Sequence, residues 1–129
     1  MGLGKTAQVI GFLAFLKSQR VNGPFLIIVP LSCLQGWINE FNKMAPSINV
    51  LKYHGNKQER ISLRKRIRIE SYGGYFFKDA ENGRKIKINI PPINPTLIVI
   101  TSFEIAMNDS FLIGKGGFGR IRFCITLTE

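Results

Sequence analysis

Phe25-Leu26-Ile27-Ile28-Val29 is followed at once by Pro30-Leu31-Ser32. An apolar run of this length, without alternation and closed by a proline, is a strand rather than a helix. A strand that is apolar on both faces is one covered on both faces, as in the middle of a parallel sheet. The neighbouring segments supply the cover. Upstream, Lys5 to Arg20 carries good helix formers, no proline, and apolar side chains on nearly every face, which predicts a helix buried against the sheet. Val21-Asn22-Gly23-Pro24 turns the chain from that helix into the strand.

Downstream, Ser32 is the expected N-cap of a helix reaching about Met44, with Leu34, Trp37, Ile38 and Phe41 forming its core-facing stripe. Residues 48–53 predict a second strand, ending at His54-Gly55. A third helix is expected over 57–69, with Asn56 as N-cap and Glu59 at the capping-box position. Residues 70–95 break the pattern with Gly73-Gly74, Asn82-Gly83, alternating Lys and Ile, and Pro91-Pro92 with Pro95, so they read as a surface insertion containing a small hairpin. Thr96 to Ile100 is a third buried strand, followed by Thr101-Ser102-Phe103-Glu104 and a short helix to about Asn108. Gly114 to Gly119 is a flexible connection, and 122–127 a possible fourth strand. Strands alternating with helices predict an α/β domain built on a mostly parallel sheet. Ligands bind such sheets outside the carboxyl ends of the strands, where Ser32, His54-Gly55 and Thr101-Ser102 fall.

Composition bounds the function. A chain of 129 residues with 45% hydrophobic and 20% charged residues is one ordinary globular unit. Its net charge of +10, from 18 Lys and Arg against 8 Asp and Glu, favours a polyanionic partner over a merely solvated basic surface. Cys33 and Cys124 stand far apart in apolar surroundings, which predicts reduced, buried thiols of an intracellular protein. A single histidine, His54, excludes multi-histidine metal sites and argues against a zinc centre. No apolar run approaches the roughly 20 residues that span a bilayer, so no membrane partner is expected. Val9 to Leu16 lacks a cleavage site. Met1-Gly2 with Thr6 also fits a myristoylation pattern, but a phosphate loop explains the same residues better.

That loop is Met1-Gly2-Leu3-Gly4-Lys5-Thr6. Glycines let backbone N–H groups close around phosphate oxygens at the positive end of a helix dipole. In such a loop the Lys5 amine would reach the β and γ phosphates, and the Thr6 hydroxyl would face Mg²⁺. The full pattern needs a glycine-like residue five positions before Gly4, ahead of Met1. Residues 1–129 are therefore expected to form an incomplete lobe, truncated at both ends.

A second constellation is basic. Lys57, Arg60, Arg64 and Arg68 share one helical stripe, flanked by Lys65 and Arg66, and such a stripe either follows a phosphate backbone or is a solvated face. Trp37, Tyr53, Phe103 and the other aromatics are not interleaved with basic residues in a stacking array, which assigns them to the core. His54 is either a phosphate or carbonyl ligand or a structural strand-end residue. Glu104 is a lone carboxylate, and no acid–base pair or nucleophile constellation is visible, so no catalytic residue is assigned.

These motifs occur in the order Met1 to Gln8, Val29-Pro30-Leu31-Ser32, Trp37 with Glu40-Phe41, Tyr53-His54-Gly55, and Thr101-Ser102-Phe103-Glu104. In that order the chain resembles the first RecA-like lobe of the Swi/Snf-type chromatin-remodelling ATPases of helicase superfamily two. Gly23-Pro24 through Ser32, with Tyr53 to Arg60, resembles most the lymphoid-specific helicase subgroup. The resemblance implies ATP and Mg²⁺ as cofactors, with Gly2, Gly4, Lys5 and Thr6 at the nucleotide and Thr6 at the metal. It implies that Ser32, Thr101 and Ser102 touch the DNA backbone, beside the basic Lys57, Arg60 and Arg64. It also implies a nuclear protein that moves along duplex DNA and shifts nucleosomes without separating strands. Such an enzyme needs an acidic Asp-Glu box after the last strand and a second lobe. Thr128-Glu129 stands where that box should begin, so the chain by itself is expected not to turn over ATP. The remaining alternatives are a non-catalytic basic DNA-binding module and a non-functional gene fragment.

Overall fold

In a computed structural model, which describes residues 3–109 and 123–127, the apolar run Phe25–Val29 forms an inner strand of a parallel sheet. The element order is α1 (Leu3–Ser18), β1 (Phe25–Val29), α2 (Leu31–Met44), β2 (Val50–Lys52), α3 (Lys57–Tyr72), β3 (Gly74–Asp79), β4 (Lys85–Ile90), β5 (Ile98–Ser102), α4 (Phe103–Asn108) and β6 (Phe123–Thr126). The described residues form a four-stranded sheet in the order β2-β5-β1-β6 and a separate two-stranded sheet of β3 and β4. Pairing is parallel throughout the larger sheet: Phe25 lies opposite Ile98 on one side and Phe123 on the other, and Val50 lies opposite Ile98. Expectation and structure agree on an α/β lobe built on a parallel sheet.

Alternation of side chains along β1 divides the core into two layers. Phe25, Ile27 and Val29 pack with Ile98, Ile100, Ile10 and Leu13 of α1, and Leu34, Trp37 and Phe41 of α2. Leu26 and the half-buried Ile28 face the other way, with Val99, Leu51, Tyr53, Ile67 of α3 and Ile105 of α4. Helices thus cover both faces, which is why β1 and β5 tolerate no polar interior residue before Thr101.

Several local expectations change. The α2 helix starts two residues earlier than its serine suggests: Pro30 is the N-cap with no side-chain capping bond, and Ser32 sits inside the first turn. Asn56 caps α3 as expected, accepting from the Glu59 N–H at 2.8 Å. The α1 helix is not buried all round. Phe12 and Phe15 are exposed because only one side of α1 meets the sheet and α2. Neither cysteine is fully buried: Cys33 is half-buried and Cys124 exposed, because no described residue pairs with the outer edge of β6. Both are free thiols.

The insertion does contain a hairpin. Six residue pairs join β3 and β4 in antiparallel register, from Gly74 opposite Ile90 to Asp79 opposite Lys85. Gly73 makes the junction with α3. Its φ of +75° is in the left-handed region, and a Cβ there would collide with the Ile90 carbonyl oxygen. The connection 114–119 lies outside the described residues.

Candidate functional site

Because the strands of the larger sheet are parallel, their carboxyl ends and the helices that follow lie along one edge. The first turn of α1 points to the same edge, since α1 runs back along the face of β1 before the chain turns into that strand. Gly4, Lys5 and Thr6 occupy this turn, and no acidic residue does. The first N–H groups of a helix have no partner inside it and carry the positive end of its dipole. Gly4 has open space where a side chain would be, so an anion can approach the backbone closely. The Lys5 side chain is exposed, whereas Thr6 is only 4% exposed. Gly2, the fourth expected nucleotide ligand, lies outside the described residues, as do Thr128 and Glu129.

The other strand ends behave unequally. Ser32 is exposed, with its Oγ 3.9 Å from the Cys33 Sγ. Thr101 and Ser102 are 0% and 1% exposed. The Thr101 hydroxyl donates to the Tyr53 carbonyl at 2.8 Å and so ties β5 to the end of β2. The Ser102 hydroxyl caps α4, accepting from the Ile105 N–H at 3.4 Å. Both hydroxyls are turned inward, which differs from the outward contact expected of them. Of these three, Ser32 is the hydroxyl open to a ligand in this conformation; Thr126, at the end of β6, is exposed as well.

The basic stripe of α3 also divides. Lys57, Lys65, Arg66 and Arg68 are exposed, but Arg60 and Arg64 have side chains only 15% exposed. Both turn inward to Asp109, the residue that closes α4. Arg60 Nε lies 3.0 Å and Arg64 Nη1 3.4 Å from Asp109 Oδ2. The same carboxylate oxygen accepts the Tyr53 hydroxyl, which in turn accepts from Arg64 Nη1 at 2.7 Å. Arg60 Nη1 also donates to the Gly55 carbonyl at 2.9 Å. Burial pushes the Tyr53 phenol up to about 12; its bond to Asp109 adds to the rise and the Arg64 guanidinium opposes it. A buried cluster of this kind is a joint, not a free cationic surface.

The inward turn has a sequence cause. Arg60 precedes Leu63 by three positions and Arg64 precedes Ile67 by three, so both stems start on the margin of the helix's apolar stripe. Asp109 had no sequence signal of its own, because its partners lie 45 to 56 residues away. His54 is half-buried at the end of β2, and its Nδ1 is buried with no hydrogen-bond partner among the described residues. Glu104 is exposed in the first turn of α4. Among the described residues no group of three or more His, Cys, Asp or Glu could hold a metal ion, and no helix is long and apolar enough to cross a membrane.

The geometry has close counterparts. The model of the SNF2-related domain matches residues 1–125. The ATP-dependent DNA helicase DDM1 of Arabidopsis thaliana is 43% identical over 110 residues, 85% of this chain and 12% of that protein. The human lymphoid-specific helicase is 41% identical over 109 residues, 84% of this chain and 11% of that protein. Among solved structures, the Sulfolobus solfataricus SWI2/SNF2 ATPase core in complex with dsDNA aligns with a TM-score of 0.57 at 20% identity, covering 99% of this chain and 26% of that one.

Proposed function

The chain belongs to the SNF2-related domain family of ATP-dependent chromatin remodellers and helicases, and from that premise we propose that it supplies the phosphate-binding edge of a DNA-dependent ATPase. It spans about one-eighth or less of the curated relatives named above, and in this reading a second lobe completes the ATPase. The carrying observation is the placement of Gly4, Lys5 and Thr6 in the acid-free first turn of α1, at the edge where the parallel strands end.

The residues fit a nucleotide triphosphate. Backbone N–H groups of the turn would hold phosphate oxygens, Lys5 would neutralise their charge, and Gly2 would extend the same loop. Thr6 would give Mg²⁺ one oxygen, with the phosphates supplying others. In this reading the chain's own contribution is to hold ATP by its phosphates. Ser32 and Lys57 stand exposed near the strand ends and are the side chains offered to the backbone of duplex DNA, within nucleosomes in the nucleus.

The net charge of +10 favours a second reading, a basic DNA-binding module indifferent to nucleotide. Duplex affinity measured across a salt series, with and without ATP and Mg²⁺, separates the two. The ATPase-lobe reading expects the affinity to change with nucleotide. The same salt-dependent line under both conditions would favour the module.

A further inference from the structure

The hairpin of β3 and β4 is far from the edge just described. The 16-residue α3 is about 24 Å long and carries the chain from the carboxyl end of β2 to the opposite end of the sheet. There the return segment is tied down by Asn94 N–H to the Glu70 carbonyl at 2.8 Å and by Asn49 Nδ2 to Asn94 Oδ1 at 2.6 Å. Between these anchors, among the described residues, the two strands pair only with each other.

What the hairpin displays is unusual for a solvated loop. Tyr75 and Phe77, 59% and 58% exposed, lie on one face, with ring centroids 5.6 Å apart in an edge-to-face pair. Opposite Phe77 on the same face is Lys87, whose Nζ sits 4.4 Å from the Tyr75 ring centroid. Lys85 follows on that face, and Arg84 and Lys78 flank it, against Asp79 and Glu81 alone. Cross-strand pairing therefore interleaves the rings of Tyr75 and Phe77 with the amines of Lys85 and Lys87, although the linear sequence keeps them 8 to 12 residues apart.

We propose that this face binds single-stranded nucleic acid, as a contact separate from the duplex path at the strand ends. The rings offer surfaces on which unpaired bases stack, and Lys85, Lys87 and Arg84 offer charge to the backbone beside them. The exposed rings select single strands over duplex, because a duplex keeps its base faces inside the stack and gives Tyr75 and Phe77 nothing to cover them. The charge complementarity selects a polyanion over an apolar partner.

The test uses fluorescence anisotropy of a labelled 20-mer oligothymidine and a labelled 20-bp duplex, with the 129-residue chain and its Tyr75→Ala/Phe77→Ala variant. Loss of two stacking rings should weaken the single strand by at least about tenfold and the duplex by less than about twofold. A Lys57→Glu variant should do the reverse, so this contact and the duplex reading fail separately. Photo-crosslinking of a bromodeoxyuridine oligonucleotide to the unaltered chain should map to 75–77, a readout independent of any variant's folding. The proposal is overturned if the oligothymidine does not bind, if the double variant leaves its affinity intact or lowers both affinities equally, or if crosslinks map elsewhere. It is also overturned if sedimentation shows the substitutions dissolving a dimer, which would make a second copy the occupant of this face.

Discussion

Tyr53, just past the end of β2, donates its hydroxyl to the carboxylate of Asp109, which closes α4 56 residues further on. Arg60 and Arg64 of α3 bond the same oxygen. Three elements of the second core layer are thus pinned at one buried atom, beside the edge where ligands of this fold bind.

Removing Asp109 leaves two mostly buried guanidinium groups without their counter-charge. Asp109→Ala should destabilise the chain by about 3–5 kcal/mol, read as a lower urea midpoint with unchanged slope. Tyr53→Phe removes two bonds, leaving the Asp109 acceptor and the Arg64 donor each one partner short, at a cost of about 1–3 kcal/mol. An Asp109→Ala midpoint equal to the parent's would show that the cluster contributes nothing net.

The same cluster sets an alkaline limit. Tyr53 is raised from 10.0 to about 12, chiefly by burial. Between those values the folded chain keeps a proton that the unfolded chain has lost, so stability is constant in this respect below pH 10 and falls as pH rises towards 12. The loss reaches roughly 2–3 kcal/mol at the top of the window. Absorbance at 295 nm should show Tyr53 titrating late, towards pH 12. Tyr53→Phe should remove both the late titration and the associated slope in stability.

At the hairpin's root, Gly73 combines a φ of +75° with a carbonyl where a Cβ would go. Gly73→Ala should cost more than about 1 kcal/mol and speed hydrogen exchange in β3 and β4 ahead of the larger sheet. Uniform exchange across both sheets would mean that the junction does not control the hairpin.

How much of this was readable from the residues depends on the range of the interaction concerned. β1 was found to the residue because an inner parallel strand must be apolar on both faces, a property contained within Phe25–Val29. The Asn56 cap was found because it acts across three residues. Arg60 and Arg64 read as part of an open DNA-facing stripe because charge type alone speaks for solvent; their offset from Leu63 and Ile67 is the local sign of an inward turn, and Asp109 lies too far along the chain for any pattern to reach. Phe12 and Phe15 show the converse error. A helix apolar all round reads as buried all round, yet only its neighbours in space decide which sides are covered. Tyr75 and Phe77 were assigned to the core because their amines arrive from the partner strand.

The split stripe has its own consequence for DNA. Lys57 is exposed and Arg60 is not, although both are basic and near the start of α3. Lys57→Glu should weaken duplex binding and reduce the salt slope by about one, with stability unchanged. Arg60→Glu should instead lower the urea midpoint, since it sets a second carboxylate against Asp109. Equal effects of the two substitutions on the salt slope would return Arg60 to the DNA surface.

The central claim is that the first turn of α1 holds the phosphates of ATP. It is tested most directly by calorimetric titration of ATP with Mg²⁺ into the 129-residue chain and into Lys5→Ala, with circular dichroism confirming that both are folded. The account predicts one binding event per chain that Lys5→Ala abolishes. No heat from the parent chain, or the same heat from both proteins, would contradict it.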